Sequence, residues 1–131
     1  MDPIKLTEAE WQVMEKLWEH SPQTGRELTD SLEATMNWNR STTLTLLRRL
    51  EAKGAVETAS EGGKKVFLPL LRREDAALKE AEGFLKRVYR GSLSLMVSSF
   101  TKGRAISEAE RRALSELLRE LEGQNDDSLD P

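Results

Sequence analysis

Between Arg40 and Leu50 the chain reads RSTTLTLLRRL, a run in which hydroxyls and guanidiniums recur at helical spacing. Over Arg40–Lys53, at about 100° per residue, Thr43, Leu46, Leu47 and Leu50 share one face, the i, i+3, i+4, i+7 pattern of a core stripe. Ser41, Thr45, Arg48 and Ala52 fall opposite, with Thr42 and Arg49 flanking on one side and Leu44 on the other. The exposed face is therefore short, polar and basic. Hydroxyls can meet phosphates or base edges, and a threonine methyl can meet a thymine methyl. Arginine makes bidentate contacts with guanine or phosphate. Short side chains also let the helix backbone approach a groove closely. The plainer alternative is that the early Ser and Thr residues cap the helix and that Arg48 and Arg49 are solvated charges.

The charge distribution favours nucleic acid. The 131-residue chain carries a net −3, yet residues 40–73 hold 8 basic and 3 acidic residues. Residues 1–39 hold 3 basic and 8 acidic, and residues 74–131 hold 9 and 12. A positive segment between two negative ones is an electrostatic footprint. Inside it, Lys64 and Lys65 follow Gly62-Gly63, where a basic hairpin tip suits a phosphate backbone. The alternative for them is a charged edge strand that resists pairing. Thr24 and Arg26 open another helix, whose free N–H groups can hold a phosphate even while Thr24 caps it. The candidate DNA contacts are thus Thr24, Arg26, Arg40, Ser41, Thr42, Leu44, Thr45, Arg48, Arg49, Lys64 and Lys65. Among these, Arg49 reads as a phosphate or structural contact. Leu44 either meets a thymine methyl or lies at the groove edge.

Other chemistries are poorly supplied. Without cysteine there is no disulfide, thiolate metal site or thiol nucleophile, and His20 stands alone at a helix end. No nucleophile–base pair, glycine-rich phosphate loop or metal-ligand cluster is visible, so no enzyme activity, metal or cofactor is expected. Trp11, Trp18 and Trp38 read as core, because duplex DNA needs no stacking platforms. No apolar run is long enough to span a membrane, and the opening MDPIKLTEAE lacks the apolar region of a signal peptide. A cytoplasmic location without membrane insertion is expected.

These residues need elements to hold them. Thr7 and Glu10 form a capping box, with Leu6 and Trp11 as a hydrophobic staple; Trp11, Met14, Leu17 and Trp18 then follow helical spacing until Pro22. A second box, Thr24 and Glu27, starts a helix with core residues Leu28 and Leu32 that runs to Thr35 or Met36. The turn MNWN leads into the helix described first, which Gly54 ends. AVETAS and KKVFLPL read as a hairpin turning at EGG, with Pro69 compatible with an edge strand. Three helices follow: one from residue 73 that Gly91 stops, a short apolar one over residues 92–100, and one over Ile106–Leu121 capped by Ser107 and Glu110. The polar GQNDDSLDP is expected to be disordered.

The fold class expected is mainly α with a small β-hairpin wing: a winged helix-turn-helix domain over 1–72 and a helical dimerisation region over 73–122, then a tail over 123–131. The later helices hold too little apolar mass for a core of their own, so a second copy is the simplest partner. The residues expected to meet it are Leu85, Val88, Tyr89, Leu95, Met96, Phe100, Leu114, Leu117, Leu118 and Leu121.

In order, LTEAEWQVMEKLWE, TGRELTDSL, W-x-x-STTLTLLRRLEAKG and KKVFLPL resemble the BlaI/MecI/CopY family, winged-helix repressors of the penicillinase-repressor type, from about Leu6 to Leu121. The resemblance implies a cytoplasmic homodimer on a double-stranded operator of dyad symmetry. It would repress a resistance gene, typically a β-lactamase or penicillin-binding protein, or a copper-export gene. The third helix would enter the major groove, the hairpin would lie near the phosphates, and residues from about 74 would form the arm. Copper sensors of the family carry cysteine pairs near the C-terminus; this chain has none, which disfavours that branch. Members commonly carry Lys or Arg where Leu44 stands, so the usual operator sequence is not expected to carry over. In the β-lactam branch a membrane-bound sensor protease cuts an Asn–Phe bond in the arm. The matching bond is Ser99–Phe100, with serine in place of asparagine, and the alternative is that Phe100 serves only the dimer core. Two other readings stay open: a winged-helix protein-interaction module, and a ligand-responsive repressor without proteolytic control.

Overall fold

The computed structural model of the protein describes residues 4–103 and 105–129, with side chains as far as Gly123. The elements run α1 (Glu8–Glu19), β1 (Gln23–Thr24), α2 (Gly25–Met36), α3 (Arg40–Lys53), β2 (Val56–Glu61), β3 (Lys64–Pro69), α4 (Arg73–Tyr89), α5 (Leu93–Lys102) and α6 (Glu108–Leu129). Both expected capping boxes form. Thr7 Oγ1 accepts from Glu10 N at 3.1 Å while the Glu10 carboxylate accepts from Thr7 N at 2.8 Å. Thr24 and Glu27 repeat the exchange at 3.1 and 3.0 Å. Each box satisfies two backbone donors that a helix start would otherwise leave open. At the end of α1, the Gln23 side-chain amide donates to the carbonyls of Lys16 and His20.

The wing is larger than a hairpin. β1 pairs with β3 through Gln23↔Phe67 and Thr24↔Val66, giving an antiparallel sheet of order β1-β3-β2. A two-residue strand has no periodicity to read, so only the hairpin was legible. The hairpin turns at Gly62 and Gly63, with φ 58° and 79°, the left-handed values a two-residue type I′ turn requires. β3 is therefore the central strand and not an edge. Pro69 is tolerated in it because β1 reaches only Val66 and Phe67; at Pro69 the sole partner is Val56 of β2.

The chain divides into two compact units, one ending at Gly83 and one beginning at Phe84. The first therefore extends past the expected boundary at residue 72 because the start of α4 is anchored in it. Ala76 is buried, and the Arg73 guanidinium bonds the Glu15 carboxylate at 2.7 Å and lies about 6 Å over the rings of Trp11 and Trp18. Its core gathers Val13, Met14 and Leu17 of α1, Leu28 and Leu32 of α2, Leu46, Leu47 and Leu50 of α3, and Ala55, Val56 and Phe67. The α3 stripe is the expected one. On α1 the buried stripe is Glu10, Val13, Met14 and Leu17, rotated away from the two tryptophans, which are half-buried and packed edge to face at 5.2 Å.

In the second unit most apolar side chains face outward. Val88, Leu95, Phe100, Leu117, Leu118 and Leu121 are exposed, while Leu85, Tyr89, Met96 and Leu114 are half-buried. α6 continues to Leu129 instead of ending near Leu121, which corrects the expected disorder of 123–129; extending a formed helix adds one bond per residue without a new nucleus. Residues 130 and 131 of that tail, and residues 1–3 of the first domain, lie outside the described residues.

Candidate nucleic-acid interface

α3 is built to be held from one side and left open on the other. Asn39 caps it, its Oδ1 accepting from Thr42 N at 2.8 Å, so the cap is Asn39 and not Ser41 or the threonines. Ser41 and Thr42 are consequently freed from capping by their own side chains. Asn37, at φ 58°, ends α2 in the left-handed conformation and fits the tight turn between the two helices. Gly54, at φ 82°, ends α3.

The buried stripe Thr43, Leu46, Leu47 and Leu50 fixes the rotation of α3 about its axis. Arg40, Ser41, Thr42, Arg48 and Arg49 are exposed on the remaining surface and Thr45 is half-buried. Arg26 at the start of α2 and Lys64 and Lys65 after the wing turn are exposed as well, and Thr24 is half-buried. Among the described residues, none of Arg26, Arg40, Arg48, Arg49, Lys64 and Lys65 pairs with a carboxylate. The Lys65 ammonium lies 5.3 Å over the Phe67 ring, so the strand supports its position. Glu27 is held below the usual carboxylate range, chiefly by hydrogen bonds from Thr24, with smaller contributions from the charges of His20 and Lys64.

Leu44 is half-buried, as Thr45 is, but it packs against the core cluster. A Cβ on Gly25 would lie 3.7 Å from Leu44 Cδ2 and 3.6 Å from Phe67 Cε2.

Two residues fix α3 through a contact that the sequence does not reveal. Glu10 is fully buried on α1, and its carboxylate accepts from Lys53 Nζ at 2.5 Å. Lys53 also donates to the Lys5 carbonyl at 2.7 Å, so the last turn of α3 is tied to the start of α1. Burial pushes the Glu10 pKa up, but the bonds from Lys53 and Thr7 outweigh it and hold the group below its ordinary value. The signal was faint: Glu10 already serves as a capping-box residue, and a lysine near a helix C-terminus needs no special partner.

A helix-turn-helix followed by a wing, with an unpaired basic face on the second helix of the motif, defines a DNA-binding winged-helix module. A family model described as penicillinase repressor matches residues 6–120. The chain is 33% identical over 116 residues to a penicillinase repressor of Bacillus licheniformis, covering 88% of this chain and 91% of that one. It is 24% identical over 114 residues to the methicillin resistance regulatory protein MecI of Staphylococcus aureus, covering 87% and 93%. Among solved structures, the DNA-binding domain of the repressor BlaI matches at 34% identity with a TM-score of 0.51, over 57% of this chain and 93% of that domain. A monomeric Bacillus licheniformis BlaI in complex with the blaP half-operator gives the same values. The chain belongs to the penicillinase-repressor family, a family of DNA-binding transcriptional repressors.

Proposed function

We propose that the chain acts as a dimeric, sequence-specific transcriptional repressor of β-lactam-resistance-type genes. The observation that carries this reading is the two-sidedness of α3: one stripe is buried, and the other face presents arginines and hydroxyls with no carboxylate partner among the described residues. On that basis α3 enters the major groove, with Ser41, Thr42, Thr45 and Arg48 at base edges or phosphates and Arg40 and Arg49 at phosphates. Thr24, Arg26, Lys64 and Lys65 then meet the flanking backbone. The half-operator complex of the related BlaI supports the same use of this fold. Two copies joined through the exposed apolar residues of α4–α6 would present two recognition helices to a dyad-symmetric site.

Control by a sensor protease belongs to the same proposal. The Ser99–Phe100 bond lies within α5, with the Ser99 carbonyl accepting from Gly103 N at 3.0 Å and the Phe100 carbonyl from Ala105 N at 2.9 Å. Cleavage there therefore requires local opening of α5. Among the described residues no helix is long and apolar enough to cross a membrane, which fits a cytoplasmic repressor reached by a membrane-bound sensor.

Titrating the full chain onto duplex DNA from its own upstream region at several salt concentrations tests the central claim. Affinity should fall steeply as salt rises, since each neutralised phosphate releases counterions. Binding that is absent or indifferent to salt overturns it. Sedimentation should give a mass near twice the 14.8 kDa of one chain, and a monomer would remove the dimer. Mass spectra from induced and uninduced cells address proteolysis; an intact chain under induction counts against it.

A further inference from the structure

The start of α2 sits between the other two elements that present the candidate DNA contacts. Gly25 follows the Thr24 cap, and a Cβ there would touch Leu44 of α3 and Phe67 of β3 at ordinary contact distance. Phe67 is buried, pairs with Gln23 across the sheet, and carries the Lys65 ammonium over its ring. One apolar junction thus joins α3, the wing strand and the N-terminus of α2. Leu44 is half-buried in that junction and packed on the core cluster, whereas Arg40, Ser41, Thr42, Arg48 and Arg49 are exposed.

We infer that Leu44 is a positioning residue for DNA recognition: it sets the N-terminus of α2 and the wing in register with α3, and it does not itself read a base. The inference rests on the proposed DNA-binding function. The position of Leu44, one residue from Thr45 on the same helix, invites the opposite view, that it meets a thymine methyl. The two roles leave different marks. A residue that reads a base changes sequence preference at one position and leaves the phosphate contacts alone. A residue that aligns α2 and the wing changes the number of phosphates engaged and leaves the preferred sequence alone. The phosphate count is read directly, because the slope of log affinity against log salt changes by about one for each phosphate that is no longer neutralised.

Leu44→Ala removes the side-chain packing on the Gly25 region, and Leu44→Val removes a single methylene and keeps the fold. The measurements are the operator consensus from binding-site selection and the salt dependence on that consensus, for wild type and both variants. The expected result is an unchanged consensus, weaker binding, and a slope shallower by about one in Leu44→Ala, with a smaller change of the same sign in Leu44→Val. Phe67→Leu, which trims the other wall of the junction and leaves the α3 sequence unchanged, should reproduce the shallower slope. A shifted consensus with a wild-type slope in the Leu44 variants overturns the inference, and so does a wild-type slope in all three. If wild type itself shows no salt-dependent operator binding, the proposed function fails first, and that result is distinct from either outcome above.

Discussion

Thr43 offers a direct test of how α3 is seated. Its side chain is fully buried in the stripe with Leu46, Leu47 and Leu50, and its Oγ1 has no hydrogen-bond partner among the described residues. A buried hydroxyl left unpaired costs about 1–3 kcal/mol. Thr43→Val replaces that hydroxyl with a methyl of similar shape, and the helix propensities of the two residues are close. No cavity opens and no partner is orphaned, so the net effect should be a gain of about 1–2 kcal/mol. For a unit of about 60–100 residues each kcal/mol moves Tm by about 4–8 °C, so an upward shift of at least about 4 °C is expected. The three tryptophans, Trp11, Trp18 and Trp38, all lie before Gly83, so tryptophan fluorescence during a thermal scan follows the first unit without interference from the second. Operator affinity at a temperature where both proteins are folded should not change, because Thr43 faces the core. An unchanged or lower Tm would mean that the hydroxyl has a partner and that α3 is rotated about its axis from this seating. A loss of operator affinity at equal stability would place Thr43 on the DNA side, which its burial forbids.

Lys53→Met leaves the Glu10 carboxylate buried without its counter-charge. Urea unfolding should show a loss of about 2–3 kcal/mol, less than the 3–5 or so of a wholly buried pair because Lys53 is partly exposed. Since the folded-state pKa of Glu10 is lowered, its contribution is complete above the ordinary value of 4.5 and is lost as pH falls through the lowered one. Stability measured against pH should show this acid loss, and Glu10→Gln should flatten it. Arg48→Ala should cost about 1–3 kcal/mol of operator affinity and relax sequence preference, whereas Lys64→Ala should weaken all duplexes alike and reduce the salt slope by about one; binding titrations on matched and mismatched duplexes separate the two.

Much of the fold was legible because local chemistry and the hydrophobic pattern agreed. The two Thr-x-x-Glu boxes, the stripe of α3 and the Gly54 and Gly62-Gly63 breaks each gave one answer, and each stands where it was expected. What escaped was non-local. β1 is defined only by its partner Val66–Phe67, more than forty residues away in sequence. The rotation of α1 escaped because Trp11 and Trp18 carry more apolar surface than Val13, yet their rings are claimed by Arg73 and the Trp18 indole by the Leu71 carbonyl. Those same contacts extend the first unit into α4.

The candidate site shows the same division in its charges. The positive segment holds eight cations, and spacing alone does not separate those that stabilise the fold from those that are free to meet DNA. Lys53, Arg72 and Arg73 pair with Glu10, Glu74 and Glu15, all acids from outside the segment. Arg40, Arg48, Arg49, Lys64 and Lys65 have no such partner among the described residues, and all five lie on the open face of α3 or just past the wing turn. The segment's own acids, Glu51, Glu57 and Glu61, form no ion pair among the described residues, although Glu61 stands opposite Lys64 in the hairpin register. The pairing thus consumes the cations at the seams with α1 and α4 and, among the described residues, leaves unpaired those on the open face of α3 and the wing. An overall charge of −3 is therefore compatible with a locally basic face: these five cations, like Arg26 of α2, have no ion-pair partner among the described residues, and charges more than about 10 Å away are largely screened at physiological salt.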